Sequence, residues 1–161
     1  MIISPKRIVQ EGIVTDIENP TEQIQQNGID LTLRTLEIID HHEIYLWKDW
    51  WRKIQSRKTY EPDEDGKIFL LEGVYDITFN EYVKIPNGMC AQIVQRSTLN
   101  RTWNFITAGV YDAGFENRVG AILHVTRPIE LQIWARLAQI VFFQAEEGDL
   151  YNWIYKVWSP S

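Results

Sequence analysis

The segments IFLLEGVYDITF (residues 68–79) and EYVKIPNGMCAQIVQRS (81–97) set short apolar runs between the turn signals Glu72-Gly73 and Pro86-Asn87-Gly88. The same rhythm continues through FITAGVYDAG (105–114), VGAILHV (119–125), IELQIWARLAQIVFFQAE (129–146) and LYNWIYKVW (150–158). Gly109, Gly114, Pro128 and Gly148 punctuate it. Several short strands at this spacing indicate an all-β barrel or sandwich. Upstream, QQNGIDLTLRTLEII (25–39) follows an Asn27-Gly28 turn with alternation: Ile29, Leu31 and Leu33 share one face, then Leu36 and Ile38 follow. That is a further strand. The opening SPKRIVQEG (4–12) reads as one short helix, with Ser4 at the N-cap, Pro5 in the first turn and Gly12 as terminator.

Residues 43–66 break the pattern. Trp47, Trp50 and Trp51 are interleaved with Lys48, Arg52, Lys53, Arg57 and Lys58, ahead of the acidic turn EPDEDG (61–66). Such a mixture suits either a basic aromatic nucleic-acid surface or a small amphipathic, helical insertion with its tryptophans packed on the core. The formal net charge of −6 favours the insertion and no nucleic-acid partner.

The 161 residues fit one domain with a real core, at 45% hydrophobic and 24% charged composition. No apolar run reaches the ~18 residues that a membrane-spanning helix needs, so no membrane partner is expected. The N-terminus lacks the pattern of a secretory signal. The single cysteine, Cys90, cannot form an internal disulfide and is expected to be buried and inert, in a reducing cytoplasm.

Phosphate loops, dinucleotide fingerprints, CxxC pairs and HExxH are all absent. His41-His42 on a strand would point to opposite faces. Three short constellations remain. QRSTLNR (95–101) supplies Arg96, Ser97, Thr98 and Arg101, the donors that a polyphosphate needs. GVYDAGFENRVG (109–120) places Asp112 ahead of a strand, where it serves as a turn residue or as a base. ARLAQIVF (135–142) carries Gln139 in an apolar strand. A triphosphate pocket would require all three to come together.

The order NGIDLTL (27–33), QRSTLNR, AGVYDAGFENRVGAIL (108–123) and RLAQIVF (136–142) resembles the motifs of the dUTPase and dCTP deaminase superfamily. The N-terminal helix and first motif look like those of deaminase-type members, and the Asp112 stretch looks like the third motif of trimeric dUTPases. The resemblance implies a mainly β fold: a distorted, dUTPase-like β-barrel of jelly-roll type. It implies a homotrimer with active sites at subunit interfaces, and Mg²⁺ carried on the triphosphate. It also implies dUTP hydrolysis to dUMP and pyrophosphate, with Asp112 as general base. Arg96, Ser97, Thr98 and Gln139 would contact phosphate, with Arg101 closing the second motif. Phe115 would lie under the deoxyribose, and backbone groups of a hairpin around Gly109 and Val110 would read the uracil. Asp30 would either reach the metal's water shell or hold its strand.

Deaminases of this superfamily carry a glutamate ten residues after the aspartate, a position held here by Ile122. Hydrolysis of dUTP is therefore expected ahead of dCTP deamination, and a catalytically silent nucleotide-sensing module is a third possibility. The second motif reads RST where dUTPases usually have RSG, and the Gly-rich fifth motif is missing. In its place, residues 149–161 offer an aromatic tail, with Tyr151, Tyr155 and Lys156, that would either close over the nucleotide or pack on the barrel.

Overall fold

The computed structural model describes residues 1–48 and 50–148. The tail with Tyr151, Tyr155 and Lys156 lies outside the described residues. The chain opens with α1 (Pro5–Gln10), β1 (Val14–Thr15) and α2 (Pro20–Gln23), then enters the long β2 (Ile29–Trp47) and β3 (Trp50–Thr59). There follow β4 (Lys67–Leu70), β5 (Gly73–Lys84), β6 (Met89–Gln95) and α3 (Ser97–Asn100). The remainder is β7 (Phe105–Thr107), β8 (Val110–Tyr111), β9 (Glu116–Val125), β10 (Ile129–Gln132) and β11 (Arg136–Gln144). The expected turn signals fall between these strands. Gly12, at φ 68, ends α1 as anticipated, although the Ser4 side chain makes no capping hydrogen bond.

Among the described residues, one large sheet runs in the order β7-β9-β5-β2-β11-β6-β8, with β1 added beside β5 and β3 beside β2. β4 and β10 form a separate two-stranded sheet. The two ends of the long path, β7 and β8, are joined by only Ala108 and Gly109. A sheet whose first and last strands are two residues apart in the chain must curl strongly, and right-handed strand twist permits it. Hydrogen bonds cross the seam: Ile106 N donates to Gln95 Oε1 at 3.2 Å, the Tyr111 hydroxyl donates to the Gly120 carbonyl at 2.7 Å, and Gly120 N donates to the Tyr111 hydroxyl at 3.4 Å. The mainly β, barrel-like architecture is thus observed.

The core lines the inside of this curl. Ile29, Leu31, Leu33, Ile77, Phe79, Leu123 and Ile140 are fully buried. The slip in alternation between Leu33 and Leu36 has a physical counterpart, because the β2–β5 register shifts between Leu33 and Thr35. The extra residue lets Leu36 return to the core face, where it too is fully buried.

The expected helical insertion is a β-hairpin instead. β2 continues through a second register shift at Ile39/His41 and pairs with β3 from Glu37↔Thr59 to Trp47↔Trp50. Aromatic and β-branched residues favour a pleated surface, and an outgoing strand already hydrogen-bonded at its base extends more readily than it converts to a helix. At that base, Arg57 Nη1 bridges Glu37 (2.9 Å) and Asp76 (2.7 Å). Cys90, expected buried, is half-buried on β6.

β9 approaches β5 closely at Gly120, where a Cβ would stand 2.9 Å from the Ile77 carbonyl oxygen. Gly120→Ala must push two paired strands apart beside the seam, so urea denaturation should show a loss of about 1–3 kcal/mol.

Candidate functional site

Strands present alternate residues to opposite faces, so while Ile29, Leu31 and Leu33 fill the core, Asp30 and Thr32 point the other way. They are buried as well, at 0% and 4% exposure. Asp30 lies opposite Gln139 of β11, which in turn lies opposite Val94 of β6. Arg96 follows β6 directly, held by its backbone N–H to the Leu137 carbonyl at 3.0 Å. Three strands therefore bring Asp30 of NGIDLTL, Arg96 of QRSTLNR and Gln139 of RLAQIVF to one end of the barrel.

Asp30 organises that end. Its Oδ1 accepts from Gln139 Nε2 at 2.8 Å, and its Oδ2 faces Arg96 Nε at 3.2 Å and Arg136 Nη1 at 3.4 Å. Arg96 Nη1 also donates to the Arg136 carbonyl at 3.3 Å. The two guanidinium groups keep 25% and 31% of their side-chain surface open, above a fully buried carboxylate. One buried negative charge thus fixes two cations that still face solvent, an arrangement suited to a polyanion. Ser97 and Thr98 are exposed in α3, next to Arg96. Arg101 faces a neighbouring cleft with Gln95, Asn100, Trp103, Phe105 and Arg127.

Asp112 is not at this end. β8 runs antiparallel to β6 with Val110 opposite Gln92 and Tyr111 opposite Ala91, so the next residue is carried away from Arg96. Continuing that register places Asp112 level with Cys90, roughly 20 Å along β6 from Arg96 at about 3.3 Å per residue. The carboxylate is exposed on a tight turn. The Asp112 carbonyl accepts from Phe115 N at 3.2 Å, and Gly114, at φ 93, occupies the position that a type II turn reserves for positive φ. Gly114 N and the Phe115 carbonyl bond to Ile85, which pins the turn to the end of β5. Phe115 is half-buried and meets Tyr111 edge-on at 4.8 Å. Gly109 and Val110 are exposed, but not as a β7–β8 hairpin: β7 pairs with β9 and β8 with β6. Within one chain the three constellations do not all meet. Two come together, and the third stands at the far end of the same strand.

Sequence reasoning passed over Arg136, Gln23 and Glu81. Arg136 reads as a surface charge, and its role appears only when β11 is laid against β2. Glu81 is an acidic residue inside an apolar strand, which was the available signal. It is fully buried, with Thr32 N (3.0 Å), Thr32 Oγ1 (2.7 Å) and Gln23 Nε2 (2.7 Å) all donating to its carboxylate. Among the described residues, no cluster of three or more His, Cys, Asp or Glu could grip a metal ion.

A family model described as dCTP deaminase-like matches residues 4–145, almost the whole chain. The chain belongs to the dCTP deaminase-like family. Within it, this member is 37% identical over 145 residues to a probable deoxyuridine 5'-triphosphate nucleotidohydrolase of Methanosarcina barkeri, covering 88% of this chain and 83% of the relative. It is 33% identical over 137 residues to the deoxyuridine 5'-triphosphate nucleotidohydrolase of Methanocaldococcus jannaschii, covering 84% and 88%. The fold is similar to that of 2'-deoxycytidine 5'-triphosphate deaminase from Agrobacterium tumefaciens, with a TM-score of 0.66 at 16% identity. That match covers 89% of this chain and spans about half, 48%, of the other.

Burial pushes the Glu81 carboxyl above its usual value, an effect only partly offset by the hydrogen bonds from Thr32 and Gln23. A carboxyl raised in the folded state binds its proton more tightly there than in the unfolded chain. Its contribution to stability is therefore present at low pH and lost as pH rises through the folded value. As pH rises above about 4.5, the ordinary carboxyl range, the stability of the wild type should fall relative to Glu81→Gln, measured by denaturation at each pH.

Proposed function

We propose that the protein is a dUTP diphosphatase that hydrolyses dUTP to dUMP and pyrophosphate. The observation that carries this is the pair of solvent-facing arginines fixed by buried Asp30, a ready seat for a triphosphate, in a chain whose relatives are named for dUTP hydrolysis. Arg96, Arg136 and Gln139, with the hydroxyls of Ser97 and Thr98, hold the phosphate chain, and Arg101 serves its outer edge. Asp112 acts as general base. Its exposed carboxylate takes a proton from water as the water oxygen attacks the α-phosphorus. The bond from that phosphorus to the bridging oxygen breaks, and pyrophosphate leaves with the electron pair.

Because Asp112 and Arg96 sit at opposite ends of β6, the base and the phosphate seat of one site come from different copies of the chain. We therefore favour a homotrimer with sites between subunits. Phe115, held edge-on by Tyr111, supports the deoxyribose, and the exposed backbone at Gly109 and Val110 reads the uracil. Both oxygens of Asp30 are already engaged, so Asp30 serves as a positioning residue for the arginines and not as a partner of the metal's water shell. The donor set fits a Mg²⁺ that rides on the nucleotide phosphates, where it would supply charge neutralisation. The protein's own share is to orient the phosphates and accept a proton. Ile122, on β9, has no proton to shuttle, which weighs against dCTP deamination.

Asp112→Asn should fold normally and lose about 10²–10⁴-fold in kcat for release of pyrophosphate from dUTP in the presence of Mg²⁺. Retained activity in Asp112→Asn would show that another group is the base. Release of ammonia from dCTP by the wild type would favour the deaminase, and tight dUTP binding without turnover would favour a nucleotide sensor.

A further inference from the structure

We propose that Glu81 is a positioning residue for the anion-binding end of the barrel: through Gln23 and Thr32 it fixes the segment of β2 that carries Asp30, and with it Arg96 and Arg136. The proposal rests on Asp30 and its partners forming a phosphate seat. Glu81 lies where β5 loses register with β9, between Thr78 and Tyr82, so that Asn80 and Glu81 turn together toward β2. Such an irregularity re-aims side chains that a regular strand would send to opposite faces.

The direction of each hydrogen bond is fixed by its neighbours. Asn80 Nδ2 donates to the Thr32 hydroxyl at 3.1 Å and to the Leu33 carbonyl at 3.1 Å, so the hydroxyl's own hydrogen goes to Glu81. Gln23 Oε1 accepts from Asn19 N at 3.0 Å, which orients its amide. The two Gln23 N–H groups then divide between Glu81 Oε1 at 2.7 Å and the Asp30 carbonyl at 3.0 Å. Glu81 therefore grips β2 on both sides of Leu31: directly at Thr32, and through Gln23 at the main chain of Asp30. Thr32 is also the cross-strand neighbour of Arg136.

No cation among the described residues pairs with Glu81. An apolar side chain of similar volume would be less costly to bury than this carboxylate. What the carboxylate provides is three acceptor contacts that hold α2, β2 and β5 in one register beneath the arginines. Gln23, Thr32 and Arg136 line the same surface groove, so this network reaches the solvent at the proposed phosphate seat.

The test uses the full-length protein, with inorganic tripolyphosphate as the binding probe by calorimetry and dUTP as substrate. Glu81→Gln keeps one acceptor but presents an amide N–H₂ to the Thr32 N–H. Gln23→Met cuts only the link to Asp30. Both should raise the tripolyphosphate Kd and the KM for dUTP, by about tenfold for Glu81→Gln and about threefold for Gln23→Met, while kcat stays within about threefold. In an Asp30→Asn background, adding Glu81→Gln should change Kd by less than about twofold, because residues acting through one clamp are not additive. A folded Glu81→Gln with wild-type Kd, or fully additive losses in the double variant, would overturn the proposal. If Glu81→Gln does not fold, Gln23→Met decides by the same Kd criterion. A wild type that does not bind tripolyphosphate also overturns it. A wild type that binds tripolyphosphate without turning over dUTP defeats the hydrolase reading alone, and the Kd values still decide the role of Glu81.

Discussion

A carboxylate removed from water must be paired or neutralised, and Asp30 meets that demand with two arginines and a glutamine from two other segments of the chain. Breaking such a buried pair costs about 3–5 kcal/mol, because the remaining charges lose their partner. This one constraint ties β2, β11 and the end of β6 together at the place where the sheet opens to solvent. It also leaves the outer faces of two guanidinium groups free for a polyanion. The same interaction thus supports the fold and prepares the site. Glu81 repeats the pattern one layer further back, where its three hydrogen bonds come from neutral groups.

The second constraint is geometric. Because Ala108 and Gly109 alone connect the two ends of the sheet path, the chain leaves β7, crosses the seam and enters β8 with its direction already set. Antiparallel pairing with β6 then sends Asp112 to the end of the barrel away from Arg96. If catalysis uses both residues, as proposed, a second copy completes the site. Assembly is, in this account, a consequence of strand register.

Local features of the fold were legible in the sequence. The period-two pattern at Ile29, Leu31 and Leu33, the Gly12 stop and the turn at Asp112–Phe115 all follow from residue chemistry over a few positions. Even the phase slip before Leu36 was visible, although its meaning as a bulge emerged only with β5 alongside. The insertion was misjudged because alternating aromatic and basic residues suit either period, and the deciding fact was that β2 runs on without a break. Of the site, Arg96 and Gln139 were legible through the order of motifs. Arg136 and Glu81 were not, because their partners Asp30 and Thr32 are distant in sequence and no local period records a cross-strand ion pair. Nor could motif order reveal that Asp112, just past β8, lies level with the opposite end of β6 from Arg96.

The most direct measurement of the central claim is complementation between two inactive variants. Asp112→Asn removes the proposed base, and Arg96→Ala removes part of the proposed phosphate seat. Unfolded together in equal amounts and refolded, they should form mixed assemblies in which some sites combine an intact Asp112 from one copy with an intact Arg96 from another. Random mixing makes about a quarter of the sites whole, since each intact half is drawn with a chance of about one in two. Recovery of dUTP hydrolysis toward that fraction is the predicted result. A mixture as inactive as either variant alone, while both still assemble, would contradict it and place base and phosphate seat within a single chain.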